Sequence, residues 1–216
     1  MKEKQVTYTT SNTYTTLNSY TSKTKNVWLV FHGMGYLSTY FGKYFKELDS
    51  EENFVIIPQA PSKFYLGKEY RHVGANWLTK VNTVEDTKNV LSYIDAVWKE
   101  EKPKTLPRFI ILGYSQGVSI AMRWLASRKI LCDAIVLHSG GIPKELNKND
   151  FQYLSESCKV TYLYGDKDPY ITEAKKTEEI LKGNSIFGDR LDITVFKGVH
   201  EVYIPFINRL AEKKVR

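Results

Sequence analysis

Short, unbroken apolar runs punctuate the chain at Val27–Phe31, Phe54–Ile57, Phe109–Leu112, Ala134–Leu137, Val160–Tyr164 and Ile193–Phe196. Each has the length of a strand and lacks the polar alternation of a half-exposed one, so each predicts a strand buried on both faces of a parallel sheet. Helical spacing fills the gaps. Val84, Val90, Leu91, Ile94, Val97 and Trp98 recur on one face, with Thr83-x-x-Asp86 as the expected N-terminal cap. Val118, Ala121, Met122 and Leu125 form a second such series after Ser115. A third helix is expected to open at Thr172 and end near Gly183, and a last one to follow His200, with Pro205 in its first turn. Strands alternating with helices predict a doubly wound α/β fold, a mostly parallel sheet with helices on both faces.

Residues 5–20 break this rhythm. They are crowded with Thr and Tyr around Ser11-Asn12 and Asn18-Ser19, which predicts a polar hairpin at the sheet edge. One domain over residues 1–216 is therefore expected, with 1–26 as this hairpin or edge-strand region.

Composition narrows the class without changing the fold. In 216 residues, 42% are hydrophobic and 25% charged, which excludes disordered and collagen-like chains. The two cysteines, Cys132 and Cys158, have neither CxxC spacing nor the density of a disulfide scaffold. A formal charge of +7 is spread along the chain and accompanied by no nucleic-acid-binding motif, so a nucleic-acid partner is not expected. No apolar run approaches a membrane span and residues 1–8 lack the apolar core of a secretory leader, which leads to an expectation of a cytoplasmic protein without integral membrane association.

The candidate chemistry begins at Gly113-Tyr114-Ser115-Gln116-Gly117, which stands between an apolar run and a helical series. That context suits a nucleophile elbow, a strand-to-helix turn too tight for side chains two residues either side of the serine. A serine hydroxyl needs a base to take its proton, and the chain has four histidines. His200 fits the chain order serine, acid, histidine and follows the last apolar run. His138 also ends a strand, but no acid-bearing strand end separates it from Ser115, so it reads as a pocket-wall or structural group. His72 falls in a polar loop.

The acid is expected after the penultimate strand, in Gly165-Asp166-Lys167-Asp168-Pro169. Either aspartate could orient the imidazole. Asp168 is preferred because Pro169 turns the chain back over the sheet, leaving Asp166 as a turn residue. His32-Gly33-Met34-Gly35 follows the first central strand, and its glycines allow backbone N–H groups to turn inward. The amides of Met34 and Gln116 are the expected oxyanion donors. The long aromatic segment 62–80 is expected to wall an acyl pocket, with Trp77 inside and Leu37 and Tyr170 as further substrate-binding candidates. An exposed apolar patch there would suit acyl chains or a second subunit, which leaves room for a homodimer.

Taken with Pro58-Gln59-Ala60-Pro61, Trp77 and Ser139-Gly140-Gly141, these segments give a chain that resembles an α/β-hydrolase of the phospholipase/carboxylesterase family, the group that includes acyl-protein thioesterases. The likeness covers about residues 27–205. It implies an esterase with little or no cap domain, needing neither metal nor other cofactor, that cleaves small-molecule or lipid carboxylic esters or thioesters through an acyl-enzyme. It maps the triad onto Ser115, Asp168 and His200. Trp77-Leu78-Thr79 stands where the family usually has Trp-Phe-Asp, Val118 replaces a small residue and Val199 a glycine. These changes touch the substrate pocket more than the chemistry. An idle hydrolase-fold binding protein and an acyltransferase on the same scaffold are the alternatives.

Overall fold

The computed structural model describes residues 1–213. Its main sheet has seven strands in the spatial order β1-β3-β2-β6-β7-β8-β9. These are β1 (Tyr14–Leu17), β2 (Asn26–Phe31), β3 (Asn53–Pro58), β6 (Arg108–Tyr114), β7 (Ala134–His138), β8 (Lys159–Gly165) and β9 (Leu191–Phe196). All neighbours are parallel except β1, which runs antiparallel to β3. The order reverses at β2: the chain first winds outward to β3, then returns to lay β6 through β9 on the other side of β2. In an open α/β sheet, the crevice at the strands' C-terminal ends beside such a reversal is where ligands bind.

The unbroken apolar runs have a direct cause. Every residue of β2 and β3 is buried, because helices cover both faces of the sheet. One face carries α2 (Thr83–Glu101), α3 (Gln116–Arg128) and the C-terminal part of α4 (Glu173–Phe187), packed through Val90, Ile94, Trp124, Leu125 and Phe187 onto Val27, Leu29, Ile111 and Ile135. The opposite face is closed by the short α1 (Ser38–Phe41) and by α5 (Ile204–Glu212), whose Phe206, Ile207 and Leu210 join Trp28, Ile110, Leu112 and Val136. Pro205 lies in the first turn of α5, where its missing N–H costs nothing. Among the described residues no helix is long and apolar enough to cross a membrane.

The structure departs from the sequence expectations in several places. The hairpin expected over residues 5–20 is replaced by β1 alone, because its Thr and Tyr backbone finds a better partner in the open edge of β3. Asn18 is left-handed there, and its amide donates to the Asn53 carbonyl at 2.9 Å. β9 is buried only in part. As an edge strand it exposes Ile193 and Val195 on one face. Asn82, in a left-handed conformation, holds the N-cap position of α2 without a side-chain capping bond, and the Thr83 hydroxyl donates to the Thr79 carbonyl instead of capping the helix. α4 opens at Thr172 as expected, but runs through Gly183 to Phe187, since Gly183 faces Leu191 closely and does not end the helix. The aromatic segment 62–80 contains a second sheet, the antiparallel pair β4 (Ser62–Leu66) and β5 (His72–Asn76), so His72, expected in a polar loop, lies on a strand.

Candidate active site

Strand β6 delivers Ser115 to the reversal point of the sheet. Gly113 and Gly117 are required there by space alone: a Cβ on Gly113 would stand 2.5 Å from the Val118 Cα, and one on Gly117 would stand 2.1 Å from the Phe31 carbonyl oxygen. With both flanks stripped, the chain turns straight from β6 into α3, and Ser115 sits at φ 52°, ψ −120°, outside the ordinary regions for a side-chain-bearing residue. Such strain persists only where the surroundings fix it. Here the Ser115 N–H donates to the His138 carbonyl at 2.8 Å, and the start of α3 points its positive end at the hydroxyl.

His200 arrives from the loop between β9 and α5. Its Nε2 lies 3.0 Å from Ser115 Oγ and its Nδ1 2.7 Å from Asp168 Oδ2. The Asp168 side chain is fully buried while the imidazole keeps 19% exposure, so the ring has an open side toward solvent. The second carboxylate oxygen of Asp168 accepts the Tyr170 N–H at 2.9 Å. Asp166 takes no part in this chain: its Oδ1 accepts the Gly198 N–H at 2.9 Å and ties the loop carrying His200 back to β8. The structure brings Ser115, His200 and Asp168 together and leaves Asp166 outside that chain of contacts.

The Met34 and Gln116 amides are both left without an acceptor among the described residues. Gln116 opens α3, where an N–H has no helical acceptor, and the Met34 N–H has no backbone or side-chain partner among the described residues. The Gln116 side chain is fully engaged elsewhere: Oε1 accepts the Trp77 N–H at 2.9 Å, and Nε2 donates to Asn76 Oδ1 and to the Leu78 carbonyl. It anchors the segment that follows β5.

Two buried histidines, His32 and His138, hold this scaffold together. His32 is buried at the end of β2, accepting the Ala60 N–H at Nε2 (3.1 Å) and donating from Nδ1 to the Gly33 carbonyl (2.8 Å). Gln59 completes the bracket by accepting the Ser38 N–H at 2.8 Å. The Pro58-Gln59-Ala60-Pro61 motif therefore sets the loop that presents Met34. His138 accepts the Tyr203 N–H at Nε2 (2.9 Å) and meets Ser139 Oγ through Nδ1 (3.1 Å), so it is structural, as one of the two sequence readings had it.

Burial pushes the pKa of His32 down to about 4 against its Gly33 bond, and burial, helped by His200, pushes His138 down to about 3. The unfolded chain takes up these protons near pH 6.5, so between there and the depressed values it binds more protons than the folded protein. Stability from both groups is complete above about pH 6.5 and drains as the pH falls, to about 4 for His32 and about 3 for His138. Melting temperature should accordingly be flat at pH 7–8 and fall steadily below about 6.5, and His138→Gln should lessen that slope; a wild-type profile level down to pH 5 would contradict this account.

The substrate-binding candidates divide. Tyr170 is 69% exposed, with its ring edge-on to His200 at 4.7 Å between centroids, so it stands at the rim. Leu37 is half-buried against the core at the start of α1. Trp77 is 1% exposed and forms no open wall. Its indole N–H donates to the His32 carbonyl at 2.8 Å and its ring packs on Phe31 and His32, so it supports the Met34 loop from beneath. A cavity of about 830 Å³ borders Trp77 from the other side, between residues 5–14 and α2, and Ser115, Asp168 and His200 are not in its lining.

The sheet order, the helices on both faces and the serine-bearing turn at the end of β6 define an α/β-hydrolase fold. The phospholipase/carboxylesterase family model matches residues 12–210, and the chain belongs to that family, an esterase-type group of hydrolases. Acyl-protein thioesterase 2 from Zea mays superposes with a TM-score of 0.70 at 13% identity, covering 94% of this chain and 97% of that one. A phospholipase/carboxylesterase from Dyadobacter fermentans gives 0.66 at 18% identity over 97% and 100% of the two chains. The Bacillus cereus carboxylesterase gives 0.63 at 18% over 93% and 92%. No curated protein sequence matches this one.

Proposed function

We propose that the protein is a serine esterase that cleaves carboxylic esters or thioesters through an acyl-enzyme. The observation that carries this reading is the continuous chain from Ser115 Oγ to His200 at 3.0 Å and from His200 to the buried Asp168 at 2.7 Å. Ser115 attacks the acyl carbonyl while Nε2 of His200 takes the hydroxyl proton. Asp168 keeps the other ring proton on Nδ1 and stabilises the imidazolium that forms. The Met34 and Gln116 amides receive the oxyanion, each worth about 10²–10³ in rate because the charge is complete only in the transition state. His200 then protonates the departing alcohol or thiol, and water repeats the sequence on the acyl-enzyme.

A small or lipid acyl substrate is favoured by the rim. Met34, Tyr170 and Val199, each at least half exposed, offer apolar surface on the loops that carry the proposed site residues. A fluorophosphonate probe should add to the peptide containing Ser115 and to no other. Hydrolysis of p-nitrophenyl esters of increasing chain length, beside a thioester and a lysophospholipid, should place the preferred acyl group. Failure of the probe to label Ser115 would point to an idle fold, and ester formation with an added alcohol acceptor would point to an acyltransferase.

A further inference from the structure

Tyr114 is the last residue of β6 and one peptide bond from Ser115, yet its hydroxyl reaches the other half of the site. It donates to the His200 carbonyl oxygen at 3.0 Å. The ring is 1% exposed and wedged on every side: its centroid is 5.3 Å from His200, 5.1 Å and perpendicular to His138, and 6.1 Å and stacked on Phe41. Its Cδ1 also lies 3.0 Å from where a Cβ on Gly33 would stand, so the same ring is the floor of the loop that presents Met34. A side chain this confined moves little, and the oxygen it grips belongs to the residue that carries the base.

We infer that Tyr114 is a positioning residue for the Ser115–His200 contact, its hydroxyl setting where the His200 backbone stands relative to the serine. The inference rests on the proposed roles of Ser115 and His200. The loop needs such a tie. His200 is separated from β9 by three residues, and its side chain contacts Ser115 and Asp168 through ring nitrogens that a swing about the Cα–Cβ bond would displace. Asp166 fixes the loop two residues earlier, at Gly198, and His138 fixes it three residues later, at Tyr203. Tyr114 supplies the tie at His200 itself. Loss of about an ångström of register between nucleophile and base is enough to slow a reaction of this kind substantially.

Tyr114→Phe removes the hydroxyl and leaves the wedged ring, so the fold should persist. The expected result is a kcat on p-nitrophenyl butyrate lowered about three- to tenfold, the span of one hydrogen bond to a buried carbonyl, with KM unchanged within about twofold. Fluorophosphonate labelling should slow by the same factor as kcat, and the low-field NMR resonance of the His200 Nδ1 proton should broaden as the loop samples more positions. Wild-type kcat and labelling in Tyr114→Phe would overturn the inference. So would a fall in kcat with an equal rise in KM, which marks loosening of the whole site. Ser115→Ala run alongside separates the two claims: if it keeps its turnover, the reading of the site falls and this one with it, whereas an inert Ser115→Ala beside an unaffected Tyr114→Phe sinks the positioning role alone.

Discussion

Replacing Ser115 by alanine is expected to lower kcat on an activated ester by about 10⁴–10⁶-fold while leaving KM within a few-fold of wild type and the melting temperature unchanged or raised. The size follows from the number of contributions that meet at one oxygen. On the proposed mechanism the hydroxyl is the bond-forming atom; it is 3.0 Å from His200 Nε2, the proposed proton acceptor, and it lies at the N-terminus of α3, where negative charge is favoured. Removing it leaves the two amides and the rim, so some acceleration over water should survive. Thermal stability should not fall, because the strained backbone at φ 52° is held by Gly113, Gly117 and the bond to the His138 carbonyl, none of which involves the side chain. Steady-state kinetics beside calorimetry would check both parts. A variant that retained a tenth of the activity would remove Ser115 from the mechanism.

The reasons this site could be found in the sequence, and the reasons part of it could not, are physical. Ser115 and Asp168 each follow a strand buried on both faces, whose apolar run places the residues after it at the rim, and His200 follows the edge strand β9, legible from its Ile193-Thr194-Val195-Phe196 run although that strand is buried only in part. The elbow is legible because the approach of Gly113 and Gly117 to other backbone leaves no alternative to glycine. The supports are illegible for the opposite reason. Trp77 looks like a pocket wall by its place in an aromatic segment, and only its bond to the His32 carbonyl reveals it as a brace. Asp166 resembles a turn residue until β8 and β9 bring Gly198 to it. His32 and His138 carry no sequence sign of their tautomers, which are set by the N–H groups of Ala60 and Tyr203. The β4–β5 hairpin was hidden because every residue of β4 is exposed and shows neither a buried run nor a clean alternation.

Asp168→Asn should be nearly as damaging as the loss of the Ser115 hydroxyl, by a route that the two oxygens of this carboxylate make specific. Oδ1 accepts the Tyr170 N–H at 2.9 Å and Oδ2 accepts from His200 Nδ1 at 2.7 Å. An asparagine has one acceptor for these two places. Its oxygen must stay on Tyr170, because that N–H belongs to the backbone and cannot turn away, and so its NH₂ faces Nδ1. The imidazole then holds its proton on Nε2 and offers Ser115 a donor where an acceptor is needed. A fall in kcat/KM of about 10⁴-fold, some 5.5 kcal/mol of transition-state stabilisation, is expected with the fold intact. Asp166→Asn provides the contrast. That side chain accepts a single N–H, from Gly198, which an amide oxygen can still receive, so its activity should remain within about tenfold of wild type. If Asp166→Asn proved the more harmful of the two, the acid would have been assigned to the wrong aspartate.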